Sequence, residues 1–237
     1  MIFKITYKID FINTIFYIYK NTLRYQMIPE IETKLIDGCY SKVADEFHKT
    51  RRYTWSWVNE FVSNIPNEER IIDIGCGTGR NMMIEIPGKT HIYHGIDMCE
   101  KFVEICKRQH LNVIKGSIVD IPHEDNSFDY ILCIAMFHHL STVERRMKAL
   151  YEMKRILNPG GKILLSVWSI HQPKKTKRQF KHYGDTNVPW KSLEGIVYDR
   201  YYYIFMVEEL KHLITKCGMT CEKHFWDCGN EVFVIST

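Results

Sequence analysis

The spacing of hydrophobic and polar positions changes once along the chain. From Glu32 to about Asn64, apolar residues recur every three or four positions, a spacing that predicts helices. Short apolar runs then alternate with helical stretches, which predicts βαβ units and hence a parallel sheet with helices on both faces. The predicted strands are, in chain order, RIIDIG, HIYHGID, LNVIKG, SFDYILCIAM and GKILLSVW.

Two segments near the C-terminus complete the predicted layout. A helix over Val207–Cys217 precedes two strands, Met219–Trp226 and Glu231–Ile235, whose short polar link predicts an antiparallel hairpin. The segment Pro173–Lys191 shows no helical period and is rich in lysine. We therefore predict that it is a long exposed insertion at the end of the sheet where ligands bind.

Length and charge fit one soluble globular domain. The chain has 237 residues, enough for a single core, and we predict an α/β domain over residues 28–237. Within it, residues 28–66 form a helical lid and residues 171–199 a basic insertion. The formal net charge of +4 permits an acidic partner such as nucleic acid but does not require one.

The first 27 residues form a predicted extension of a different kind. They are rich in Ile, Phe and Tyr, but Lys4, Lys8 and Asp10 interrupt the apolar pattern. A helix that spans a membrane needs about 20 mostly apolar residues, so we expect no membrane partner. The segment is either an added amphipathic piece or lies upstream of a translation start at Met27, and we favour the second.

The eight cysteines are scattered singly, which predicts reduced thiols in the cytoplasm, with a nuclear location also open. One group, Cys217, Cys221, His224 and Cys228, could be taken for metal ligands. Its spacing lacks the paired C-x₂₋₄-C pattern of zinc sites, so we predict no metal.

The strongest signal is IIDIGCGTGRN, a strand followed by the glycines Gly75, Gly77 and Gly79. The spacing is G-x-G-x-G, whereas a dinucleotide pyrophosphate needs the longer G-x-G-x-x-G turn. Asp73 precedes the glycines, and Asp97 ends the next strand near the roughly 20-residue offset at which a carboxylate reaches ribose hydroxyls. Two carboxylates and no phosphate cradle favour S-adenosylmethionine, which is cationic and carries a ribose.

These residues and the NPGG turn resemble the class I S-adenosylmethionine-dependent methyltransferases. The resemblance implies a Rossmann-like sheet of seven mostly parallel strands with an antiparallel last strand. Ser117 departs from the family, which often has an acidic residue there, so the adenine contacts are expected at Ser117 and the Ile118 backbone. The cofactor-binding residues implied are Asp73, Gly75, Cys76, Gly77, Gly79, Asp97, Met98, Ser117, Ile118 and Ala135.

A narrower resemblance rests on CYSKVADEFHKTRRYTW, FHHLSTVERR, SVWSIHQ, VPW and RYYYIFMVEEL. From about Tyr40 onward these stretches are similar to eukaryotic tRNA methyltransferases that esterify carboxymethyluridine at the wobble position. The resemblance implies that the tRNA anticodon loop is a partner and that a small zinc-binding activator completes a heterodimer. An exposed apolar sheet edge near the third strand is the expected docking site of that activator.

The acceptor that this resemblance implies decides how the histidines and arginines are interpreted. A carboxylate is ionised at pH 7 and needs a counter-charge rather than a base, and arginine offers a planar fork of donors. We therefore predict that His139, Arg51 and Arg145 orient the reacting group. The residues predicted to contact RNA are Arg52, Tyr53, His138, Arg146, Trp168, Lys174, Lys175, Trp190 and Tyr201.

Two other functions remain open from the sequence. A methyltransferase of the quinone-biosynthesis type shares the glycine loop and the NPGG turn, although the basic insertion counts against it. A catalytically silent RNA-binding subunit is the second, and the intact glycine loop counts against that one.

Overall fold

A seven-stranded sheet forms the centre of the molecule. The structure is a computed structural model and describes residues 29–51, 53–176 and 179–237. The predicted N-terminal extension and Arg52 lie outside the described residues. The strands are β1 (Arg70–Ile74), β2 (Ile92–Asp97), β3 (Val113–Lys115), β4 (Phe128–Ile134), β5 (Leu157–Trp168), β6 (Gly184–Lys191), β7 (Val197–Ile204), β8 (Thr220–Asp227) and β9 (Asn230–Ser236).

The strand order in the large sheet is β3-β2-β1-β4-β5-β9-β8. Neighbouring strands from β3 to β5 pair in parallel, whereas β9 pairs antiparallel with both β5 and β8. The predicted Rossmann-like sheet with an antiparallel last strand is therefore confirmed. The order reverses at β1, and in such sheets ligands bind beyond the carboxyl ends of the strands at that reversal.

Helices cover both faces of this sheet, as predicted. They are α1 (Glu30–Leu35), α2 (Ser41–Thr50), α3 (Ser56–Ser63), α4 (Glu100–Arg108), α5 (Val143–Ile156) and α6 (Val207–Lys216), with a π-helical turn between α1 and α2. Alternation along β1 sends neighbouring side chains to opposite faces. Ile71 packs with α3, whereas Ile72 belongs to the cluster that α5 and α6 cover.

The lid is helical but interrupted. Helix α2 and the turn before it pack over α4, where Tyr40 and Phe47 contact Phe102. Helix α2 ends at Thr50, and Trp55, in an extended conformation, caps the start of α3. Arg51 and Trp55, at the two ends of the link between these helices, line the cavity described below.

The predicted exposed insertion contains a strand in its second half, which the sequence pattern did not predict. Gly184–Lys191 is strand β6, which pairs antiparallel with β7 in a separate two-stranded sheet. The pattern concealed this strand because Val188 is its only buried apolar residue and because Pro189 is a residue usually excluded from central strands. An edge strand of an isolated hairpin tolerates both features.

Within the described ranges, no helix is both long and apolar enough to cross a membrane.

Candidate active site

A cavity of about 350 Å³ opens at the carboxyl ends of β1, β2 and β4. The sheet contributes Gly75, Asp97 and Ala135 to its wall, and the lid contributes Tyr40 and Arg51. Strand β7 closes it from a third side, because its alternate residues Arg200 and Tyr202 face inward. The wall therefore combines one local stretch of the sheet with two segments that are distant in sequence.

The glycine loop has the conformation that its sequence predicts. Gly75, Gly77 and Gly79 have φ angles of 69°, 55° and 79°, in the left-handed region that favours glycine. A Cβ atom on Gly75 would collide with the side chain of Met136, and one on Gly79 with Leu111. The loop can therefore pass close to the core and present its backbone to the cavity.

Asp97 fixes this loop in place. Its Oδ2 accepts a hydrogen bond from the Gly77 backbone N–H at 2.8 Å, and its Oδ1 accepts one from the Cys99 N–H at 2.8 Å. Burial raises the pKa of Asp97 to about 6, although these backbone donors act in the opposite direction. The carboxylate thus joins the loop to the start of α4 and still faces the cavity.

Asp73 lies directly behind the cavity wall and is only 1% exposed. Its Oδ2 accepts a hydrogen bond from Asn81 at 3.1 Å, and Asn81 itself lines the cavity. Its Oδ1 has no hydrogen-bond partner among the described residues. Burial raises the pKa of Asp73 to about 7, which makes this carboxylate responsive to a nearby cation.

Besides Arg145, which is described below, the arginines that line the cavity are Arg80, Arg51 and Arg200. The Arg80 guanidinium lies 4.6 Å from the centre of the Trp55 ring and feels the charge of Asp73. Burial and the charge of Arg200 lower the pKa of Arg51. Burial also lowers the pKa of Arg200, but neighbouring tyrosines outweigh it and the net pKa is raised. This part of the wall is strongly cationic.

His139 holds one tyrosine of this wall in place. Its Nδ1 lies 2.8 Å from the carbonyl oxygen of Tyr201, so Nδ1 carries the proton and donates. The Nε2 atom, 3.0 Å from the Tyr40 hydroxyl, is then the acceptor. Burial lowers the pKa of His139 to about 3, so the ring is neutral and both nitrogens are occupied. His139 thus orients Tyr40 and is not placed to remove a proton from a substrate.

Comparisons with known proteins agree with this geometry. A family model described as a methyltransferase domain matches residues 72–165. The tRNA (carboxymethyluridine(34)-5-O)-methyltransferase of Schizosaccharomyces pombe is 33% identical over 223 residues, 85% of this chain and 95% of that protein. A mouse relative of the same activity name is also 33% identical, but this chain covers only 22% of its length.

Solved structures share the fold. A Burkholderia thailandensis 1,6-didemethyltoxoflavin-N1-methyltransferase with bound S-adenosylhomocysteine has a TM-score of 0.63 at 13% identity, over 88% of this chain and 90% of that one. A Haloferax volcanii methyltransferase in complex with the Trm112 methyltransferase activator has a TM-score of 0.59 at 15% identity, over 85% of this chain and 96% of that one.

The chain belongs to the class I S-adenosylmethionine-dependent methyltransferases. Its methyl donor is therefore S-adenosylmethionine, and the residues around the glycine loop suit that cation. The methyltransferase offers a buried carboxylate oxygen without a partner at Asp73, a half-exposed carboxylate at Asp97 and a glycine turn open to the cavity.

The predicted cofactor residues are placed unevenly around the cavity. The wall includes Gly75, Cys76, Gly77, Asp97, Met98, Ile118 and Ala135. Ser117 does not line it, because its Oγ turns back to accept a hydrogen bond from the Val119 N–H. Gly79 lies beneath the loop against Leu111, and Asp73 lies behind Asn81. In this geometry Ser117, Gly79 and Asp73 can therefore affect the cofactor only indirectly.

Arg145 needs reinterpretation. It lines the cavity, but its guanidinium is 4% exposed and forms an ion pair with Glu32 of α1 at 2.8 Å. Glu32 also accepts hydrogen bonds from the Ser141 N–H and hydroxyl. The pair fastens the lid to the start of α5, so the structure does not support the predicted contact of Arg145 with the reacting group.

Four of the residues predicted to contact RNA are buried parts of the frame. His138 accepts a hydrogen bond from the Trp168 backbone N–H, and the Trp168 ring stacks on Tyr202 with 4.3 Å between centroids. Arg146 donates to the Leu140 carbonyl and covers the Tyr203 ring. The Tyr201 hydroxyl donates to Asp185. Only Trp168 reaches the cavity, so this placement does not support RNA contacts by the other three residues.

The other predicted RNA contacts remain accessible. Lys174 and Lys175 are exposed shortly after Gln172, which lines the cavity. Tyr53 is 86% exposed and follows Arg51 by two positions. Trp190 is half-buried, with its ring centre 5.2 Å from the Arg51 guanidinium. Their roles stay predictions.

The sequence interpretation missed Arg80, Arg200 and Tyr40 as site residues. Arg200 had a signal in RYYYIF, where a charged residue alternates with aromatic ones as on the inward face of a strand. Arg80 directly follows the glycine loop. No sequence signal marked Tyr40 as a site residue, since its three- and four-residue spacing from other apolar positions predicted only a core contact.

The cysteine cluster has ordinary partners. The Cys217 sulfur is 3.8 Å from the Met147 carbonyl, and His224 is 2.8 Å from the Glu231 carboxylate. Among the described residues, no group of three or more histidine, cysteine or acidic side chains could hold a metal ion.

Proposed function

We propose that this methyltransferase esterifies the carboxylate of 5-carboxymethyluridine at the wobble position of tRNA. The observation that carries the proposal is the cationic wall that Arg51 and Arg200 form in the cavity that the glycine loop also lines. A wall of this kind suits an acceptor that is itself an anion. The activity in the name of the S. pombe relative, which this chain matches over 95% of its length, supports the same acceptor.

The chemistry needs little from the protein beyond positioning. S-adenosylmethionine supplies an electrophilic methyl group, and one oxygen of the acceptor carboxylate supplies the electron pair for the new C–O bond. The C–S bond breaks as this bond forms, and its electrons remain on sulfur. No proton is removed from the acceptor, because a carboxylate is already ionised at pH 7. That agrees with His139, which is neutral and has both nitrogens occupied.

The residues divide the work between the two reactants. Asp97 and the glycine loop are suited to hold the ribose end of the cofactor, and Asp73 places a negative charge behind Asn81. The arginines across the cavity are suited to hold the acceptor carboxylate in line with the sulfonium. The exposed Lys174, Lys175 and Tyr53 are candidates for the phosphates and bases around the acceptor.

We also propose that the enzyme works with a small zinc-binding activator. The Haloferax methyltransferase of the same fold was solved in complex with the Trm112 activator. Strand β3 is an edge strand of the described sheet, and it carries the exposed Ile114. An unpaired edge with apolar side chains suits pairing with another chain.

Methyl transfer to two anticodon stem-loops tests this function. One carries 5-carboxymethyluridine at the wobble position and the other an unmodified uridine, and both are assayed with the full chain and a candidate activator. We expect an alkali-labile methyl ester on the first RNA only. Binding should weaken steeply with salt, with a log–log slope of about −0.7 for each phosphate contact. Cofactor binding without transfer to either RNA would instead favour a small-molecule acceptor.

A further inference from the structure

Arg200 is an unusual residue for the interior of a protein. It is 4% exposed, and its guanidinium carbon lies 5.1 Å, 5.3 Å and 5.8 Å from the ring centres of Trp190, Tyr202 and Trp168. Its Nε has no hydrogen-bond partner among the described residues. A buried charge with an unused donor is costly unless an anion completes it.

Arg145, in the wall of the same cavity, is a buried arginine that does have an anionic partner. It is equally buried, but its Nε and Nη2 meet the carboxylate of Glu32 at 2.8 to 3.0 Å, and only Nη1 lacks any contact with a carboxylate. Within the described ranges, no carboxylate forms an ion pair or hydrogen bond with the guanidinium of Arg200 or Arg51. Among the described residues, this pair therefore has no equivalent of the carboxylate that Glu32 provides to Arg145.

The second guanidinium of the pair contacts the same ring as the first. Arg51 lies 5.2 Å from the centre of the Trp190 ring, and Arg200 lies 5.1 Å from it. Burial and the charge of Arg200 lower the pKa of Arg51, so the two positive charges repel each other. An anion between them would replace this repulsion with two attractive contacts.

A chain of hydrogen bonds fixes Arg200 in this position. The Tyr201 carbonyl holds His139, and His139 holds the Tyr40 hydroxyl at 3.0 Å. The Tyr40 hydroxyl interacts in turn with the Arg200 guanidinium. Tyr40 belongs to the lid and Arg200 to β7, so the guanidinium is aimed before a ligand arrives.

We propose that Arg200, assisted by Arg51, is the specificity-determining residue that binds the acceptor carboxylate and rejects a neutral amide in its place. This inference rests on the proposed function, because it names the group that this site recognises. The methionine carboxylate of the cofactor has the same chemistry. Arg80 is better placed to bind the methionine carboxylate of the cofactor, since Arg80 lies near Asp73.

A matched pair of RNAs tests the assignment. One anticodon stem-loop carries 5-carboxymethyluridine and the other carries 5-carbamoylmethyluridine, which has almost the same shape without the charge. The dissociation constants of both are measured for the full chain with its activator, in the presence of S-adenosylhomocysteine. We expect the wild-type protein to prefer the carboxylate by about tenfold to a hundredfold, the range of charge-assisted hydrogen bonds.

Arg200→Gln should reduce this preference to about onefold to threefold, while the affinity for S-adenosylhomocysteine stays close to that of the wild type. Arg51→Gln, at the end of α2, should reduce it by a smaller factor and serves if the first variant fails to fold. Arg70→Gln is the matched control, because it removes one exposed positive charge at the opposite end of β1 and should keep the full preference.

The outcomes separate the two proposals. If the wild-type protein methylates the carboxylate RNA and Arg200→Gln keeps the full preference, this assignment is wrong while the function stands. If Arg200→Gln instead loses affinity for S-adenosylhomocysteine and keeps the preference, the guanidinium serves the cofactor carboxylate, and the assignment is again wrong. If the wild-type protein neither prefers nor methylates the carboxylate RNA, the proposed function is wrong, and this inference is wrong as well.

Discussion

The two halves of the cavity are built in different ways. The cofactor half comes from one stretch of chain between Asp73 and Asp97, where backbone N–H groups and glycine turns do most of the work. The acceptor half assembles Tyr40, His139 and Arg200, which lie in the lid, after β4 and on β7. A local site depends on backbone conformation, whereas an assembled one depends on the docking of whole elements. Substitutions should therefore affect the two halves through different observables.

The largest effect is expected at the ion pair that docks the lid. Arg145→Ala leaves the Glu32 carboxylate buried and unpaired, which should destabilise the protein by about 3 to 5 kcal/mol. Urea denaturation followed by circular dichroism measures the change. The double variant Glu32→Gln with Arg145→Met removes both charges and should recover most of the loss. Equal destabilisation by the single and double variants would contradict the docking role.

Asp97→Ala should produce the next largest effect, confined to the cofactor half. It removes the acceptor of the Gly77 and Cys99 N–H groups, so we expect affinity for S-adenosylhomocysteine to fall by about a hundredfold or more. Isothermal titration calorimetry measures this loss. RNA binding in the absence of cofactor should change by less than about threefold. A parallel loss of RNA binding would show that the halves are coupled.

The pKa of Asp73 predicts a pH dependence of cofactor binding. With a pKa of about 7, the carboxyl is mostly protonated at pH 6 and mostly ionised at pH 8. A cationic ligand favours the ionised form, so affinity for S-adenosylmethionine should rise about tenfold between these pH values. Asp73→Asn removes the titrating group and should flatten the profile while lowering affinity at pH 8. A steep profile in that variant would assign the titration to another group, with Asp97 the first candidate.

Tyr40→Phe is expected to have the smallest effect, and it isolates the acceptor half. It removes the hydroxyl between His139 and Arg200 while keeping the ring that packs on Phe102. We expect KM for the RNA to rise about fivefold, near the value of one hydrogen bond, with kcat little changed. Steady-state kinetics at saturating cofactor provides the measurement. A fall in kcat at constant KM would mean that Tyr40 acts on the reaction step itself.

The same contrast explains what the sequence could predict. The alternation of strands and helices and the glycine loop follow from local patterns, because periodicity and turn chemistry are encoded within a few residues. The partner of Arg145 could not be read in this way, since Glu32 is 113 residues away and nothing near Arg145 reveals it. Arg145 and Arg200 are both arginines close to aromatic stretches, yet one is paired and the other is not. Only the fold distinguishes them.

The β6–β7 hairpin has a consequence for how this enzyme can change. It pairs with no strand of the large sheet, yet it delivers Arg200 to the cavity and its turn is tied to Glu46 of the lid through the Leu193 N–H. With the role proposed for Arg200, acceptor choice resides in a hairpin outside the large sheet, while the donor-binding residues follow strands of that sheet. Exchanging the β6–β7 hairpin for another of equal length should therefore direct the methyl group to a different acceptor and leave binding of the methyl donor intact.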